Sequence, residues 1–126
     1  MELFVKMDVR AIQQGLINEV GGVKHFAVLA TIASFANAKG EAYPSQDTIA
    51  ELVGYSRKTI NETIKQLREV KIDGEPILKV VQEKTPSGRR NKYVLSPKSG
   101  FWFGTGKKNV TKSNDNVTSD GKNNVT

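Results

Sequence analysis

Two amphipathic segments, each opened by a serine, meet at a single glycine between residues 45 and 70, and no other feature constrains the fold of this chain as strongly. Ser45 follows the structure-breaking Pro44. Its hydroxyl can accept from the otherwise unpaired amides of a first turn, Gln46-Asp47-Thr48. Ile49, Ala50, Leu52 and Val53 then supply an apolar stripe over about two turns. Gly54 permits a tight turn with positive φ, which residues carrying a Cβ rarely adopt. Ser56 is a second N-cap, after which Ile60, Ile64 and Leu67 recur at i, i+4 and i+7 and lead to Val70. The pattern predicts two helices joined by a short glycine-containing turn, a helix-turn-helix.

Upstream, Leu3–Met7 is a short apolar stretch read as a strand. Asp8 is a good N-cap for a helix carrying Ala11, Ile12, Leu16 and Ile17 and ended by Gly21-Gly22. Residues 23–38 are strongly apolar and predict a central buried helix, with Gly40 as its stop. Downstream of Asp73-Gly74-Glu75-Pro76 the period becomes that of strands. Ile77, Leu78, Val80 and Val81 form one, Tyr93-Val94-Leu95 another, and Thr85-Pro86-Ser87-Gly88 the turn of a β-hairpin ended by Pro97. Phe101-Trp102-Phe103 are expected to pack back onto the domain, the alternative being an aromatic patch for protein or bases. The order of elements predicts an α+β winged helix-turn-helix, with a helical core and the hairpin as its wing.

The chain has 126 residues, enough for one domain with a single core. Composition narrows the function classes. Lys and Arg number 19 against 13 Asp and Glu, a net charge of +6 that points to an anionic partner, nucleic acid first. The absence of cysteine excludes disulfides, thiolate metal sites and cysteine catalysis. The single histidine, His25, is read as a packing residue, because no nucleophile–base pair, metal set or phosphate loop accompanies it. The expectation is therefore no enzyme, no cofactor and no metal. No apolar run approaches the ~20 residues of a membrane span, and Met1–Lys6 lacks a signal-peptide core, so the expected location is the cytoplasm, at the nucleoid.

Apolar residues make up only 37% of the chain, and the deficit falls at its end. Residues 1–103 are expected to form the domain. Residues 104–126, rich in Gly, Lys, Asn, Ser and Thr, are expected to form a disordered linker that continues into a longer protein. Asn-Val-Thr occurs in this tail at 109–111, 116–118 and 124–126. Each copy fits the N-glycosylation pattern, a reading set aside in a chain without signal peptide or cysteine. In coding DNA the copies lie roughly 21 and 24 base pairs apart, the first near two turns of B-DNA at ~10.5 base pairs each. That raises the expectation of repeated binding sites within the protein's own gene, against a linker expanded by replication slippage.

The residues around the two helices fit a double-stranded DNA partner. With Ile60, Ile64 and Leu67 inward, the second helix presents Lys58, Glu62 and Lys65, flanked by Arg57, Asn61 and Arg68. Such a face suits the major groove, where Arg prefers guanine, Asn adenine, and Glu can accept from cytosine. Ser45, Gln46 and Thr48 suit phosphate contacts from the start of the preceding helix, and Ser56 and Thr59 open the recognition helix. On the wing, Lys84, Arg89, Arg90, Asn91 and Lys92 form a basic loop tip that would probe phosphate or the minor groove.

The run Tyr43-Pro44-Ser45-Gln46-Asp47-Thr48-Ile49-Ala50-Glu51-Leu52, with Gly54-Tyr55-Ser56-Arg57-Lys58-Thr59-Ile60, resembles the helix-turn-helix of phage and plasmid replication initiators of low-GC Gram-positive bacteria. Gly88-Arg89-Arg90-Asn91-Lys92-Tyr93 is similar to the G-x-x-N-x-Y of their wing. The resemblance spans residues 3–96. It implies origin binding at iteron-like repeats, with DNA contacts at Ser56, Arg57, Lys58, Thr59, Asn61 and Arg89 to Lys92. It also implies a homodimer or cooperative assembly on the repeats. Host replication proteins would be met through a C-terminal domain outside these 126 residues, often similar to DnaD-like primosomal proteins. A small winged-helix repressor is the alternative within DNA binding. A protein-interaction winged helix is the alternative outside it; such a module would not need a basic helix and a basic wing together.

Overall fold

A computed structural model describes residues 3–105, and the repeat-bearing tail beyond lies outside the described residues. Strand β1 (Leu3–Met7) leads into α1 (Val9–Gln13), α2 (Leu16–Val20) and α3 (Val23–Ala33). A two-residue strand β2 (Glu41–Ala42) precedes α4 (Gln46–Val53) and α5 (Arg57–Leu67). A short ribbon, β3 (Lys71–Ile72) and β4 (Glu75–Pro76), is followed by β5 (Leu78–Thr85), β6 (Gly88–Leu95), a 3-10 turn (Pro97–Ser99) and β7 (Phe101–Thr105). The strands form an antiparallel sheet of order β2-β6-β5 and two separate ribbons, β1-β7 and β3-β4. The architecture is the α+β winged helix that the order of elements predicts.

Both serine caps form. Ser45 Oγ accepts from the Thr48 amide at 3.0 Å and Ser56 Oγ from the Thr59 amide at 3.1 Å. Gly54 takes φ 89°, and its N–H closes α4 on the Ala50 carbonyl. Helix α3 spans the centre of the core with Val28, Leu29 and Ile32 buried against Ile49 of α4 and Ile60, Ile64 and Leu67 of α5. Ile77, Leu78, Tyr93 and Leu95 carry the base of the wing into the same core. Each large apolar side chain so buried contributes roughly 1.5–3 kcal/mol.

Several boundaries differ from the sequence expectation. The single helix expected after Asp8 is broken in two where Gly15 takes φ 99°; Asp8 still caps the first piece. Helix α3 ends at Ala33 rather than Ala38. The Asn37 side-chain oxygen accepts from the Lys39 and Glu41 amides at 2.9 and 3.1 Å, and this local capture offers the backbone an alternative to helix. Gly40 therefore serves the turn into β2 and does not stop the helix, and Phe35 lies past the helix end, 44% exposed. Leu52, expected in the α4 stripe, is 61% exposed, because Ile49, Ala50 and Val53 already fill the inward face of a helix of only two turns. Helix α5 stops at Leu67, short of Val70.

The wing is longer than its hydrophobic pattern. Pairing runs from Leu78↔Leu95 to Thr85↔Gly88, leaving only Pro86-Ser87 as the loop. Lys84, Arg89, Arg90 and Lys92 are thus strand residues rather than loop-tip residues. Ladder hydrogen bonds do not require apolar side chains, and cross-strand charge pairs sustain the strands where alternation ends. At the other end of the fold, β1 and β7 pair in the register Leu3↔Thr105 to Met7↔Phe101, so pairing continues two residues past Phe103. Phe101 is buried and stacks on Phe26 at 6.2 Å between ring centroids, packing back onto the domain as expected, while the side chains of Trp102 and Phe103 lie outside those described. Among the described residues, no helix is long and apolar enough to cross a membrane.

Candidate nucleic-acid interface

The start of α4, the first turns of α5 and the outer half of the wing converge on one groove of about 750 Å³. Helix α4 contributes its cap Ser45 and Gln46, and α5 contributes Arg57, Lys58 and Asn61. The wing contributes Gln82 from β5 and Arg89, Arg90 and Asn91 from β6, while Tyr43 and Pro44 join the two sides. The tight turn at Gly54 sets the N-terminus of α5 beside that of α4. The hairpin register carries Arg89 and Arg90 toward them.

The first turns of both helices are held by paired hydroxyls. Ser45 Oγ donates to Thr48 Oγ1 at 2.9 Å, and Ser56 Oγ donates to Thr59 Oγ1 at 3.0 Å. These four hydroxyls fix the helix starts, and the N-terminal amides and positive dipole ends of α4 and α5 supply donors suited to anions. Between the helices, Gln46 Nε2 donates to Asn61 Oδ1 at 3.2 Å, which orients the Asn61 amide. The Asn61 amide nitrogen remains a donor for an acceptor in the groove.

The groove cations are matched by acceptors of the protein itself. Arg57 Nη1 lies 3.4 Å from Asp47 Oδ2, both side chains being largely exposed. Arg89 Nη1 donates to Gln82 Oε1 at 3.3 Å. Arg90 donates from Nε and Nη2 to Glu83 Oε1 at 3.3 and 3.1 Å, and its guanidinium lies 4.0 Å from the centroid of the Tyr43 ring. Lys92 Nζ is 3.2 Å from Glu83 Oε2 and 3.8 Å from Glu41 Oε2. The hydrogen bond from Lys92, and next that from Arg90, hold the Glu83 carboxyl below its ordinary pKa. The Glu83 carboxylate in turn raises that of Lys92. The Arg57–Asp47 pair is the most exposed of these, so a polyanion can displace it readily.

Of the residues expected at the interface, Ser45, Gln46, Arg57, Lys58, Asn61, Arg89, Arg90 and Asn91 share the groove. Glu62, Lys65 and Lys84 are exposed outside its lining, Thr48, Ser56 and Thr59 serve the caps, and Lys92 is drawn to the carboxylates of Glu83 and Glu41. Tyr43, Asp47, Gln82 and Glu83 belong to the site and are absent from the sequence expectation. Tyr43 stands in the Tyr-Pro-Ser run that opens α4, a signal that was present. Glu83 faces Arg90 only through the strand register, which the apolar pattern does not reach. Among the described residues, no group of three His, Asp or Glu could hold a metal ion.

Comparison with known proteins matches part of the same set of elements. Residues 23–72, from the start of α3 to the end of β3, match a helix-turn-helix domain. Neither the curated proteins nor the solved structures compared with the chain gave a match. A helix-turn-helix domain with a basic groove points to double-stranded DNA as the partner.

Proposed function

We propose that the chain binds double-stranded DNA sequence-specifically, as the origin-recognition domain of a replication initiator acting at repeated sites, without a chemical step of its own. One observation carries the binding reading: the groove collects polar and cationic side chains from α4, α5 and the wing on a single concave surface. In this reading α5 enters the major groove with Arg57 and Asn61 toward base edges and Lys58 toward phosphate. The N-terminal turn of α4 anchors the neighbouring phosphate backbone, and Arg89 of the wing meets the backbone on the far side. The replication role is supported by the resemblance over residues 3–96 and by the three Asn-Val-Thr copies. Copies of the domain would sit side by side on the corresponding DNA repeats.

Footprinting the purified chain on its own gene tests both parts. Protection recurring over the segment that encodes residues 107–126 supports origin-type repeats. A single specific site upstream of the gene supports the regulator instead. Equal, unstructured binding along the whole fragment refutes sequence-specific recognition.

A further inference from the structure

A carboxylate in the middle of a DNA-facing wing repels phosphate, yet Glu83 occupies the strand position directly across from Arg90. Its two oxygens divide their work: Oε1 accepts from Nε and Nη2 of Arg90, and Oε2 faces the Lys92 ammonium. The Arg90 guanidinium also lies over the Tyr43 ring, 4.0 Å from its centroid. Strand, carboxylate and ring therefore fix a side chain that would otherwise sweep through many rotamers, and Nη1 is the edge that none of these contacts uses. Arg89, its neighbour, is held only by a single 3.3 Å bond to Gln82, and Lys84 has no ion-pair partner among the described residues. The wing thus carries two kinds of cation, loosely held ones and one oriented one.

We propose that Glu83 is a positioning residue for DNA specificity: with Tyr43 it holds Arg90 as an oriented donor in the groove and withholds Arg90 and Lys92 from indiscriminate phosphate contact. The proposal rests on the DNA-binding reading. It requires that loss of the carboxylate strengthen binding to arbitrary DNA while weakening discrimination. A carboxylate that merely tied the two strands together would change stability and leave both quantities alone.

The test uses the 126-residue chain and two duplexes: one enriched by the unaltered protein from a randomised pool, and a scrambled duplex of equal length and composition. Dissociation constants are measured across a KCl series, with thermal unfolding recorded for each variant. For Glu83→Gln the expected result is several-fold tighter binding to the scrambled duplex. Its log–log salt slope should steepen by about 0.9 for each cation that gains a phosphate. The preference for the enriched duplex should fall at least about fivefold. Arg90→Lys keeps the charge and loses the fork, so its preference should fall while its salt slope stays. A Glu83→Gln protein with unaltered preference and slope overturns the proposal, as does equal weakening on both duplexes accompanied by a lower melting temperature. If the unaltered chain enriches no duplex and binds neither, the DNA-binding reading itself fails.

Discussion

The Gln46–Asn61 contact offers the cleanest separation of base reading from phosphate attraction, because neither side chain carries charge. Asn61→Ala removes the groove-facing amide and with it a base contact worth about 1–3 kcal/mol if bidentate, a loss of roughly five- to 150-fold on the enriched duplex. Gln46→Ala leaves Asn61 in place but deletes the 3.2 Å bond that orients it. A net neutral hydrogen bond is worth about 0.5–1.5 kcal/mol, so the loss should be smaller. If Gln46 acts through Asn61, its removal from the Asn61→Ala protein should cost little further, giving a coupling of about 0.5–1.5 kcal/mol in a double-mutant cycle. Fluorescence anisotropy on the enriched and scrambled duplexes over a KCl series reads all four proteins. The salt slopes should match that of the parent throughout. Strict additivity of the two losses, or an equal loss on the scrambled duplex, would refute the reasoning.

Other perturbations probe the wing and the frame. Arg89→Ala should weaken enriched and scrambled duplexes alike and lower the salt slope by about 0.9, read from the same titrations. Phe101→Ala, which empties a buried site stacked on Phe26, should cost about 3–5 kcal/mol and lower the melting temperature sharply in a calorimetric scan. The Glu83 carboxyl lies below its ordinary value, so its contribution to stability is present above the unfolded pKa of about 4.3 and is lost as pH falls through the lower folded value. Lys92 lies above its ordinary value, so its contribution is present below about 10.4 and is lost as pH rises through the higher folded value. Urea midpoints of the parent and Glu83→Gln should therefore differ by a constant amount at mid-range pH and converge at both extremes.

The helix pair is legible in the sequence because each of its determinants is local. Ser45 and Ser56 reach amides three residues on, Gly54 needs only its own backbone freedom, and Ile60, Ile64 and Leu67 declare one face. What stays hidden depends on partners distant in the chain or on competition within a few residues. Asn37 ends α3 by a side-chain capture that hydrophobic periodicity does not register. Strand β2 is two residues long and exists only because β6 runs beside it. The outer wing carries no apolar alternation, so the pairing of Glu83 with Arg90 emerges only once the register is fixed from Leu78↔Leu95 outward. The groove is readable as a set of residue types, and its internal ion pairs are not. For that reason the expected basic loop tip gives way to paired strands in which Glu83 holds Arg90.

The β1-β7 ribbon also determines how the domain responds to mechanical load. Leu3 pairs with Thr105, so the two ends of the described chain leave from the same end of one antiparallel ribbon. Tension applied through both ends acts across the strands, along the direction of their hydrogen bonds, and loads those bonds one pair at a time. Such a ribbon opens like a zipper, at lower force than strands pulled in shear. Helices α3 to α5 and the wing lie on the chain between the two strands and bear none of the load until the Met7↔Phe101 pair has parted. The ribbon is a mechanical fuse, and a pull on the chain spends itself there before it reaches the surface that would hold DNA.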